Sequence, residues 1–501
     1  MLAQISFFDK VAEINGAING FVWGIPCLTL LIATGVLMTV LTKGFQFSHF
    51  AYWFKNTIGS IFHKKVSGHV QDKGSISQFQ ALCTALAATV GVGNIAGVAT
   101  AIASGGPGAI FWMWVAAIFG SMTNYSENVL GIYYRGKNPK GEWAGGAMYY
   151  LRDGLGSYKG CKQVGKVLSV LFSIFAVLAS FGIGNSSQVN TIATNMTSAF
   201  SIPAWITGIV LMIMAGLVIV GGIKRIASVT EKIVPFMVVF YILGALIIII
   251  VHAGSILPAF GAIFSFAFGF KAVGGAAIGL AVKSAVTWGF KRGVFSNEAG
   301  LGSSVMVHSA SNVKEPVRQG MWGIFEVFAD TIFVCTLTAL VVLTSGLVDL
   351  NTGAMLTDAV DSVLVASAFS HVFGYAGSAF IAIAILLFAF STVLGWSYYG
   401  TKAWEYLFGT AATMIYKVIF VLFIIVGATM NLDLAWDISD TFNGLMSIPN
   451  LIGVLSLSPL VMKITANYVN RKIKGSKEEP MLSAHADIQK EHADAVKRGE
   501  E

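Results

Sequence analysis

The sequence contains little charge for its length. Only 11% of its 501 residues are Asp, Glu, Lys or Arg, and 55% are hydrophobic. An average soluble protein carries about 25% charged residues. Disordered chains, coiled coils and nucleic-acid-binding proteins need far more charge than this. The composition therefore excludes those classes and predicts a polytopic membrane protein.

Proline and cysteine are also scarce, with 10 and four residues, whereas glycine is abundant, with 55. Cysteines 27, 83, 161 and 335 are scattered, and no two have the spacing of a metal site or a disulfide framework. The start, MLAQISFFDK, lacks the basic and apolar regions of a signal peptide, so we expect none. Glycine fits the membrane class because helices that pack closely in lipid use small residues.

Enzyme signatures are absent as well. The sequence contains no H-E-x-x-H, no Walker P-loop and no G-x-S-x-G. Gly91, Gly93 and Gly97 have the wrong spacing for a dinucleotide fingerprint and follow no strand. We therefore expect no enzyme and no nucleic-acid partner.

Long apolar runs dominate the chain. About 20 apolar residues cross a hydrocarbon core, and eleven segments meet this length if residues 255–310 cross once. They lie at about 21–41, 77–103, 107–134, 165–188, 204–222, 232–252, 255–310, 319–345, 376–399, 413–430 and 442–463.

The basic residues indicate the orientation of these spans. With eleven crossings, 27 of the 32 lysines and arginines lie in loops on one side, and the acidic loops lie on the other. Cytoplasmic loops carry the excess of Lys and Arg. This predicts an external N-terminus, a cytoplasmic C-terminus and a bacterial-type plasma (inner) membrane. The remaining cations are Lys10, Lys271, Lys283, Lys291 and Arg292, four of them in segment 255–310.

Two glycine clusters interrupt apolar segments. Gly91-Val92-Gly93-Asn94 lies at mid-membrane depth, where freed backbone groups are tolerated only beside a cavity or ligand. Packing through Gly93-x-x-x-Gly97 is the alternative, and the adjacent Asn94 favours a break. A second cluster, Ser296 to Ser304, repeats the form Gly-x-Gly-polar at Gly300 and Gly302.

These clusters divide the chain. Each begins a block of five helices, 77–252 and 290–463, and five is odd, so the second block runs inverted to the first. Inverted repeats with matched interruptions indicate a secondary-transporter site. Residues 1–76 then form an extra helix with a basic loop. Residues 253–289 form an external, interfacial or re-entrant segment, and residues 464–501 form a charged cytoplasmic tail.

Other polar residues lie at membrane depth. Ser391 and Thr392 either bond back to carbonyls one turn earlier or contribute oxygen ligands to Na+. Trp396 shares the face of Thr392. Gln188 belongs either to a helix end or to the site. Glu127, Glu298, Glu326 and Asp330 are ionisable groups inside or beside spans, and their roles stay open.

The motif Arg292-Gly-Val-Phe-Ser-Asn-Glu-Ala-Gly-Leu-Gly-Ser303, together with Gly91-Val-Gly-Asn-Ile-Ala-Gly97, resembles the alanine/glycine:cation symporter family. The resemblance covers about residues 15–470. It implies an all-α polytopic membrane protein of eleven transmembrane helices. An extra N-terminal helix would precede a LeuT-type core of two inverted five-helix repeats, and transport would be Na+-coupled uptake of alanine or glycine by alternating access.

The same resemblance implies a site. The carbonyls of Ala87, Val90 and Phe388 and the hydroxyls of Ser391 and Thr392 would hold the coupling ion, Na+. The substrate would contact Gly91, Gly93, Asn94, Gln188, Gly300, Gly302, Thr392 and Trp396.

The sequence leaves several alternatives open. The coupling ion could be H+ instead of Na+. A gated channel and an intramembrane enzyme are the other hypotheses, although no filter and no nucleophile–base pair is visible. The preference for alanine or glycine, the selectivity between D- and L-isomers, the ion stoichiometry and the oligomeric state, with a monomer as the simplest case, are undetermined.

Overall fold

The computed structural model describes residues 7–61, 74–269, 275–430 and 433–498. Within these ranges the chain is almost entirely helical, and the sole sheet pairs Gly136–Lys137 antiparallel with Trp143–Ala144. A helix satisfies its backbone polar groups within its own segment, which lipid requires. The predicted all-α class is confirmed.

The first half of the chain contains most of the short elements. Its helices are Phe7–Val22, Ile25–Leu41, Phe45–Ser48, Phe50–Asn56, Gln78–Thr89, Val98–Gly105, Ala109–Tyr133, Ala147–Tyr149, Lys162–Phe181, Ser187–Phe200, Ala204–Ile219 and Gly222–Val251. Wider π turns lie at Gly93–Gly97, Tyr150–Gly154 and Gly182–Ser186, and 3₁₀ turns at Ile58–Ser60, Leu155–Ser157 and Ala253–Ser255.

The second half is built from longer helices. They are Ile256–Ala267, Gly275–Asn297, Val305–His308, Pro316–Val327, Thr336–Thr344, Asp361–Phe373, Tyr375–Phe408, Thr413–Thr429, Asp433–Ser456, Ser458–Lys472 and Ala486–Lys497. A π turn, Phe328–Cys335, joins two of them, and a 3₁₀ turn lies at Thr410–Ala412.

The described residues include six helices long and apolar enough to span a membrane, or eight if each of two bent pairs counts as one span. Three further apolar helices are shorter: Ala204–Ile219, Ala253–Ala267 and Asp361–Phe373. The chain is therefore a multi-pass membrane protein. The count of eleven stays a prediction.

Two segments differ from the predicted spans. The helix expected over 165–188 runs from Lys162 to Phe200, because the π turn at Gly182–Ser186 bends its path without ending it. The helix placed near 290–310 begins at Gly275, inside the segment 253–289. Lys271 and the cations Lys64, Lys65 and Lys73 of the first loop lie outside the described residues.

The molecule has two chemically distinct ends. At one, which we call the acidic end, Asp361, Asp437 and Asp440 line a shared cavity. At the other, the basic end, the loop after Tyr133 meets residues 309–315 and the tail. The tail reaches the basic end at Ala484, whose N–H donates to the Tyr133 carbonyl at 2.8 Å, and again at His492, beside Trp143.

Arg135 organises the basic end. Its guanidinium donates to the carbonyls of Ser309 (2.9 Å), Ser311 (2.6 Å) and Val313, and it lies 3.9 Å from the centre of the Trp143 ring. Arg135 is 1% exposed. The planar fork of an arginine can serve several acceptors at once, so one side chain ties the loop after Tyr133 to the segment after the second glycine cluster.

The C-terminal tail packs against this cluster. Gln489 Oε1 accepts from the backbone N–H groups of Leu482 and Ser483 at 2.8 and 2.9 Å, which fixes the entry to the helix Ala486–Lys497. The His492 ring is buried at 6.0 Å from the Trp143 ring centre. The tail thus forms an ordered layer over the basic end.

We expect the tail to loosen on acidification. Burial, and then the positive charges of Arg135, Lys314 and Lys137, lower the pKa of His492 from 6.5 to about 3. A docked tail therefore holds neutral His492, while a released tail takes up a proton below about pH 6.5. Above that pH the protonation of His492 does not oppose docking of the tail. Below it, the equilibrium constant for docking falls about tenfold per pH unit, until about pH 3.

Protease cleavage within 484–498 measures this release. Cleavage should rise about tenfold between about pH 7.5 and about pH 5.5 in the wild type, and not in His492→Gln. His485→Gln, a tail histidine outside the Arg135 cluster, is the matched control and should keep the wild-type response. Equal pH responses in all three proteins would contradict the role of His492.

Candidate substrate and cation site

The first glycine cluster breaks its helix as predicted. Ser77 caps Gln78–Thr89 through a reciprocal pair of hydrogen bonds with Gln80, each 3.1 Å. The second half of the broken helix, Gly93–Gly105, is bent by 53° relative to the first half, Gln78–Thr89. Between them the Gly91 N–H donates to Asn94 Oδ1 at 2.9 Å. The Asn94 side chain therefore replaces the backbone partner that the break removes.

The helix Tyr375–Phe408 lies against this break. A methyl group on Gly91 would lie 2.4 Å from Thr392 Oγ1, and one on Gly395 would lie 2.7 Å from Ala88 Cβ. Glycine at each position thus permits a backbone approach that no other residue allows. The approach brings the predicted cation ligands of the two helices together.

Four of those ligands share one cluster of oxygens. Ser391 Oγ donates to the carbonyls of Phe388 at 2.8 Å and Ala87 at 3.4 Å, and Thr392 Oγ1 donates to the Phe388 carbonyl at 3.1 Å. Both hydroxyls thus bond back to a carbonyl one turn earlier, the first alternative from the sequence, and the second, a role as Na+ ligands, stays a prediction. Neutral oxygens are the ligands that hard cations take. Val90 ends the first half-helix one residue before Gly91.

Gln188 also reaches the break. Its Oε1 accepts from the Val92 N–H at 3.3 Å, and its Nε2 donates to the Ile183 carbonyl at 3.0 Å. A methyl group on Gly91 would lie 3.2 Å from Gln188 Oε1. Gln188 therefore does not lie at a helix end, because the π turn carries the helix on past it, and its role in substrate binding stays a prediction.

Trp396 is fixed by Glu298. Its indole Nε1 donates to Glu298 Oε1 at 2.8 Å, and Ser303 Oγ donates to Glu298 Oε2 at 2.5 Å. Glu298 has a φ of +57°, a conformation that non-glycine residues seldom adopt. Trp396 is fully buried. Glu298 thus braces the second break and orients the tryptophan next to it.

Gly300 and Gly302 contact other helices and not the break at Gly91. Gly300 and Gly302 have φ values of +92° and +73°, and methyl groups there would meet Leu31 at 2.5 Å and Asn450 at 2.7 Å. Asn450 Nδ2 donates to the Gly300 carbonyl at 2.9 Å and to Glu127 Oε1 at 2.5 Å. These contacts place both glycines against neighbouring helices, away from Gly91, and their role in substrate binding stays a prediction.

The two broken helices meet instead at Phe295 and Ser296. A methyl group on Gly93 would lie 3.2 Å from Phe295 Cδ1 and 3.3 Å from Ser296 Cα. The sequence placed Ser296 inside the second polar cluster without assigning it a contact. The C-terminal end of the helix Gly275–Asn297 therefore faces the first break.

Asp330 lies at this junction. Its Oδ1 accepts from Asn94 Nδ2 at 2.7 Å, and its Oδ2 accepts from the hydroxyls of Ser296 and Thr331, each at 2.8 Å. Glu326 binds His308 at 3.0 Å instead. The π turn Phe328–Cys335 explains why the two carboxylates, four residues apart, have different partners, because it rotates the helix between them.

A cavity of about 530 Å³ opens from this junction toward the acidic end. Gly93 and Phe295 line it together with the charged residues Lys291, Arg292, Asp361 and Asp440. Lys291 Nζ pairs with Asp440 Oδ2 at 2.9 Å. Two of the cations that the sequence could not place therefore line a polar entrance to the site.

Comparison with known proteins identifies one family that the chain matches over most of its length. A family model described as the sodium:alanine symporter family matches residues 8–483. The sodium/alanine symporter AgcS of Methanococcus maripaludis is 48% identical over 459 residues, which are 91% of this chain and 97% of that protein. The probable sodium/glutamine symporter GlnT of Bacillus subtilis is 36% identical over 488 residues, covering 96% and 94%.

A solved structure agrees on the architecture. MhsT, crystallised in complex with L-phenylalanine, superposes with a TM-score of 0.50 over 78% of this chain and 98% of that chain, at 14% identity. At this identity the likeness concerns the fold alone, and it confirms the LeuT-type architecture. The relatives and this structure are transporters, not enzymes.

Proposed function

Since the chain belongs to the sodium:alanine symporter family, we propose that it couples Na+ entry to uptake of a small neutral amino acid, alanine or glycine, by alternating access. The observation that carries the proposal is the contact of the broken backbone at Gly91 with Thr392 and Gln188. A broken helix offers polar backbone groups to a carboxylate and a cation at mid-membrane depth.

The residues of the site have distinct roles in this proposal. Na+ binds the oxygen cluster of Ala87, Phe388, Ser391 and Thr392, together with the carbonyl of Val90 at the end of the first half-helix. The amino acid binds beside it, against the backbone of Gly91 and Gly93 and the side chains of Asn94 and Gln188. Trp396, held by Glu298, limits the room for a side chain and so favours alanine and glycine.

The charged ends fit an orientation in the membrane. Cytoplasmic loops carry the excess of Lys and Arg, so the basic end faces the cytoplasm of a bacterial-type inner membrane. The acidic end, with its cavity, then faces outside. Substrate enters past Lys291 and Asp440 and leaves at the end covered by the tail.

Uptake by purified protein in liposomes tests the function. Labelled alanine should accumulate under an inward Na+ gradient and not under an equal K+ gradient, and equal uptake in both would overturn Na+ coupling. Unlabelled glycine should compete, while glutamine should not. Competition by glutamine would move the substrate toward that named for the relative GlnT.

Thr392→Ala tests the cation ligands. It removes one oxygen of the cluster, which costs about 1–3 kcal/mol for an unmade polar contact. We expect the half-saturating Na+ concentration for alanine uptake to rise about 5- to 150-fold.

Thr401→Ala is the matched control for this substitution. Thr401 lies on the same helix, and its hydroxyl donates only to the Ser397 carbonyl one turn earlier, at 2.6 Å. We expect wild-type Na+ dependence. Unchanged Na+ dependence in Thr392→Ala as well would remove Thr392 from the cation site.

A further inference from the structure

A short backbone bridge joins the segments beside the two broken helices at the basic end. The Ile76 N–H donates to the Ala310 carbonyl at 3.0 Å, and the Asn312 N–H donates to the Ile76 carbonyl at 2.9 Å. Ile76 comes directly before Ser77, the cap of the first broken helix, whereas Ala310 and Asn312 follow the second glycine cluster. We call this contact the basic-end bridge. Substrate that leaves at the basic end requires the two segments to separate.

Two side chains hold this bridge from the loop after Tyr133. The Trp143 Nε1 donates to Ser75 Oγ at 2.9 Å, directly before the bridge. The Arg135 guanidinium donates to the Ser311 carbonyl at 2.6 Å, inside the bridge, and lies against the Trp143 ring. Separation of the bridge therefore requires this pair of side chains to release one of its two partners.

The tail helix, Ala486–Lys497, packs on the same pair. Its buried residues include Ile488, His492 and Ala495, whose spacing places them on one face of a helix. The His492 ring lies 6.0 Å from the Trp143 ring centre. The tail helix thus buries one face against the side chains that hold the basic-end bridge.

The chain that leads to the tail helix is anchored on the other side of the bridge. The Arg471 guanidinium donates to both carboxylate oxygens of Glu315, each at 2.8 Å, and Glu315 lies just after the bridge. One turn before Arg471, Asn467 donates to the Glu479 carbonyl at 2.9 Å and accepts from the Met481 N–H at 3.2 Å. These bonds fix the path of the chain away from Glu315.

The same chain then reaches the loop after Tyr133. The Ala484 N–H donates to the Tyr133 carbonyl at 2.8 Å, and the Ser483 hydroxyl donates to the same carbonyl at 3.4 Å. The tail is therefore tied at Glu315 to the segment after the second break, and at Tyr133 to the loop that carries Arg135. A motion that separates these two parts of the molecule must pull the tail from one of them.

The tail helix lies outside the part of the chain that the family shares. The match to the family model ends at residue 483, and the tail helix begins at Ala486. We therefore expect transport itself not to need the tail helix. A segment that transport does not need, but that fastens one end of the molecule, is suited to regulation.

We propose that the tail helix is an autoinhibitory strap, which docks while the basic-end bridge is closed and must detach before the bridge opens. This inference rests on the proposed symport function and adds a control on substrate release. A segment that binds one conformation better than another shifts the molecule toward that conformation. The docked strap therefore slows each transport cycle, and its detachment accelerates transport.

Ile488→Asp tests the strap, because a charge on the buried face detaches the tail helix. The initial rate of Na+-driven alanine uptake at saturating alanine should rise at least about fivefold, the lower end of the usual coupling between two sites. Ala486→Asp adds the same charge at an exposed position of the same helix and should keep the wild-type rate. A rate in Ile488→Asp equal to or below that of the wild type would overturn the proposal.

Deletion of residues 484–501 covers the case in which Ile488→Asp does not fold. It removes the strap and leaves the part matched by the family model, so the same rise in rate is expected. A tail that only stabilises the fold would have the opposite effect, because its loss would lower uptake per protein. Unchanged or lower uptake in the deletion variant would overturn the proposal.

Thiol labelling tests the strap without transport. Ser311 is fully buried and its hydroxyl donates to Gln319 Oε1 at 3.1 Å, so a cysteine there reacts only when the bridge opens. In a Cys161→Ser background, since Cys161 is the partly exposed native cysteine, Ser311→Cys should react with a polar maleimide at least about fivefold faster with Ile488→Asp than with Ala486→Asp.

Equal labelling rates would overturn the strap. Faster labelling with Ile488→Asp, in a protein that transports no alanine, would support the strap and overturn only the proposed function.

Discussion

Alanine uptake is expected to fall about 5- to 150-fold when Gly91 is replaced by alanine. The added methyl group would lie 2.4 Å from Thr392 Oγ1 and 3.2 Å from Gln188 Oε1, so the Thr392 side chain must move and Gln188 must give way slightly. Overpacking of this kind costs about 1–3 kcal/mol. That is too little to unfold the chain, and it corresponds to an effect of about 5- to 150-fold on uptake if it falls on the site, since about 1.4 kcal/mol is tenfold.

Gly97→Ala is the matched control on the same broken helix. The nearest atom to an added methyl group there is Arg292 Cδ, at 3.9 Å, an ordinary van der Waals distance. Uptake by Gly97→Ala should therefore stay close to that of the wild type at equal protein per liposome. If Gly91→Ala also transported normally, the approach of Gly91 to Thr392 would not define the site.

Loss of Arg135 is expected to destabilise the protein by at least about 3 kcal/mol, because each of three buried carbonyls left without a donor costs about 1–3 kcal/mol. Arg135→Ala leaves the carbonyls of Ser309, Ser311 and Val313 without their donor and removes the stacking partner of Trp143. Burial lowers the pKa of Arg135 to about 9, so the guanidinium still carries its charge near pH 7. Arg135→Lys should recover only part of the loss, because an ammonium lacks the planar fork.

Denaturant unfolding in detergent measures this difference. Arg152→Ala is the control, because Arg152 pairs with its neighbour Asp153 at 2.7 Å and its side chain is 45% exposed. Exposed pairs contribute about 0–1 kcal/mol. Equal stability of the Arg135 and Arg152 variants would show that the three carbonyls find other partners.

Local chemistry explains what the sequence could predict. The break at Gly91 was predictable because glycine and asparagine at mid-membrane depth oppose a continuous helix, and the structure confirms the bend. The closeness of Ala87, Phe388, Ser391 and Thr392 followed from the family resemblance. It could not have come from spacing, since the two helices are separated by about 300 residues of chain.

The sequence does not predict contacts between helices that are far apart along the chain. Asp330 stood out as an ionisable residue, but its bond to Asn94 joins positions 236 residues apart. The four-residue spacing of Glu326 and Asp330 would put both on one face of a regular helix, and the π turn between them changes that geometry. The tail suggested only charge and solubility, because its burial depends on Arg135 and Trp143, more than 300 positions earlier.

The tail over the basic end acts as a ligand that is covalently tethered to its own binding surface. Its occupancy is set by a short linker, with effective concentrations of about millimolar, and not by how many copies of the protein the membrane holds. Any conformational change that separates Tyr133 from Ala484 must therefore displace the tail, which acts as an internal ligand at a fixed effective concentration. A free peptide of the same sequence would need a comparable concentration to replace a deleted tail.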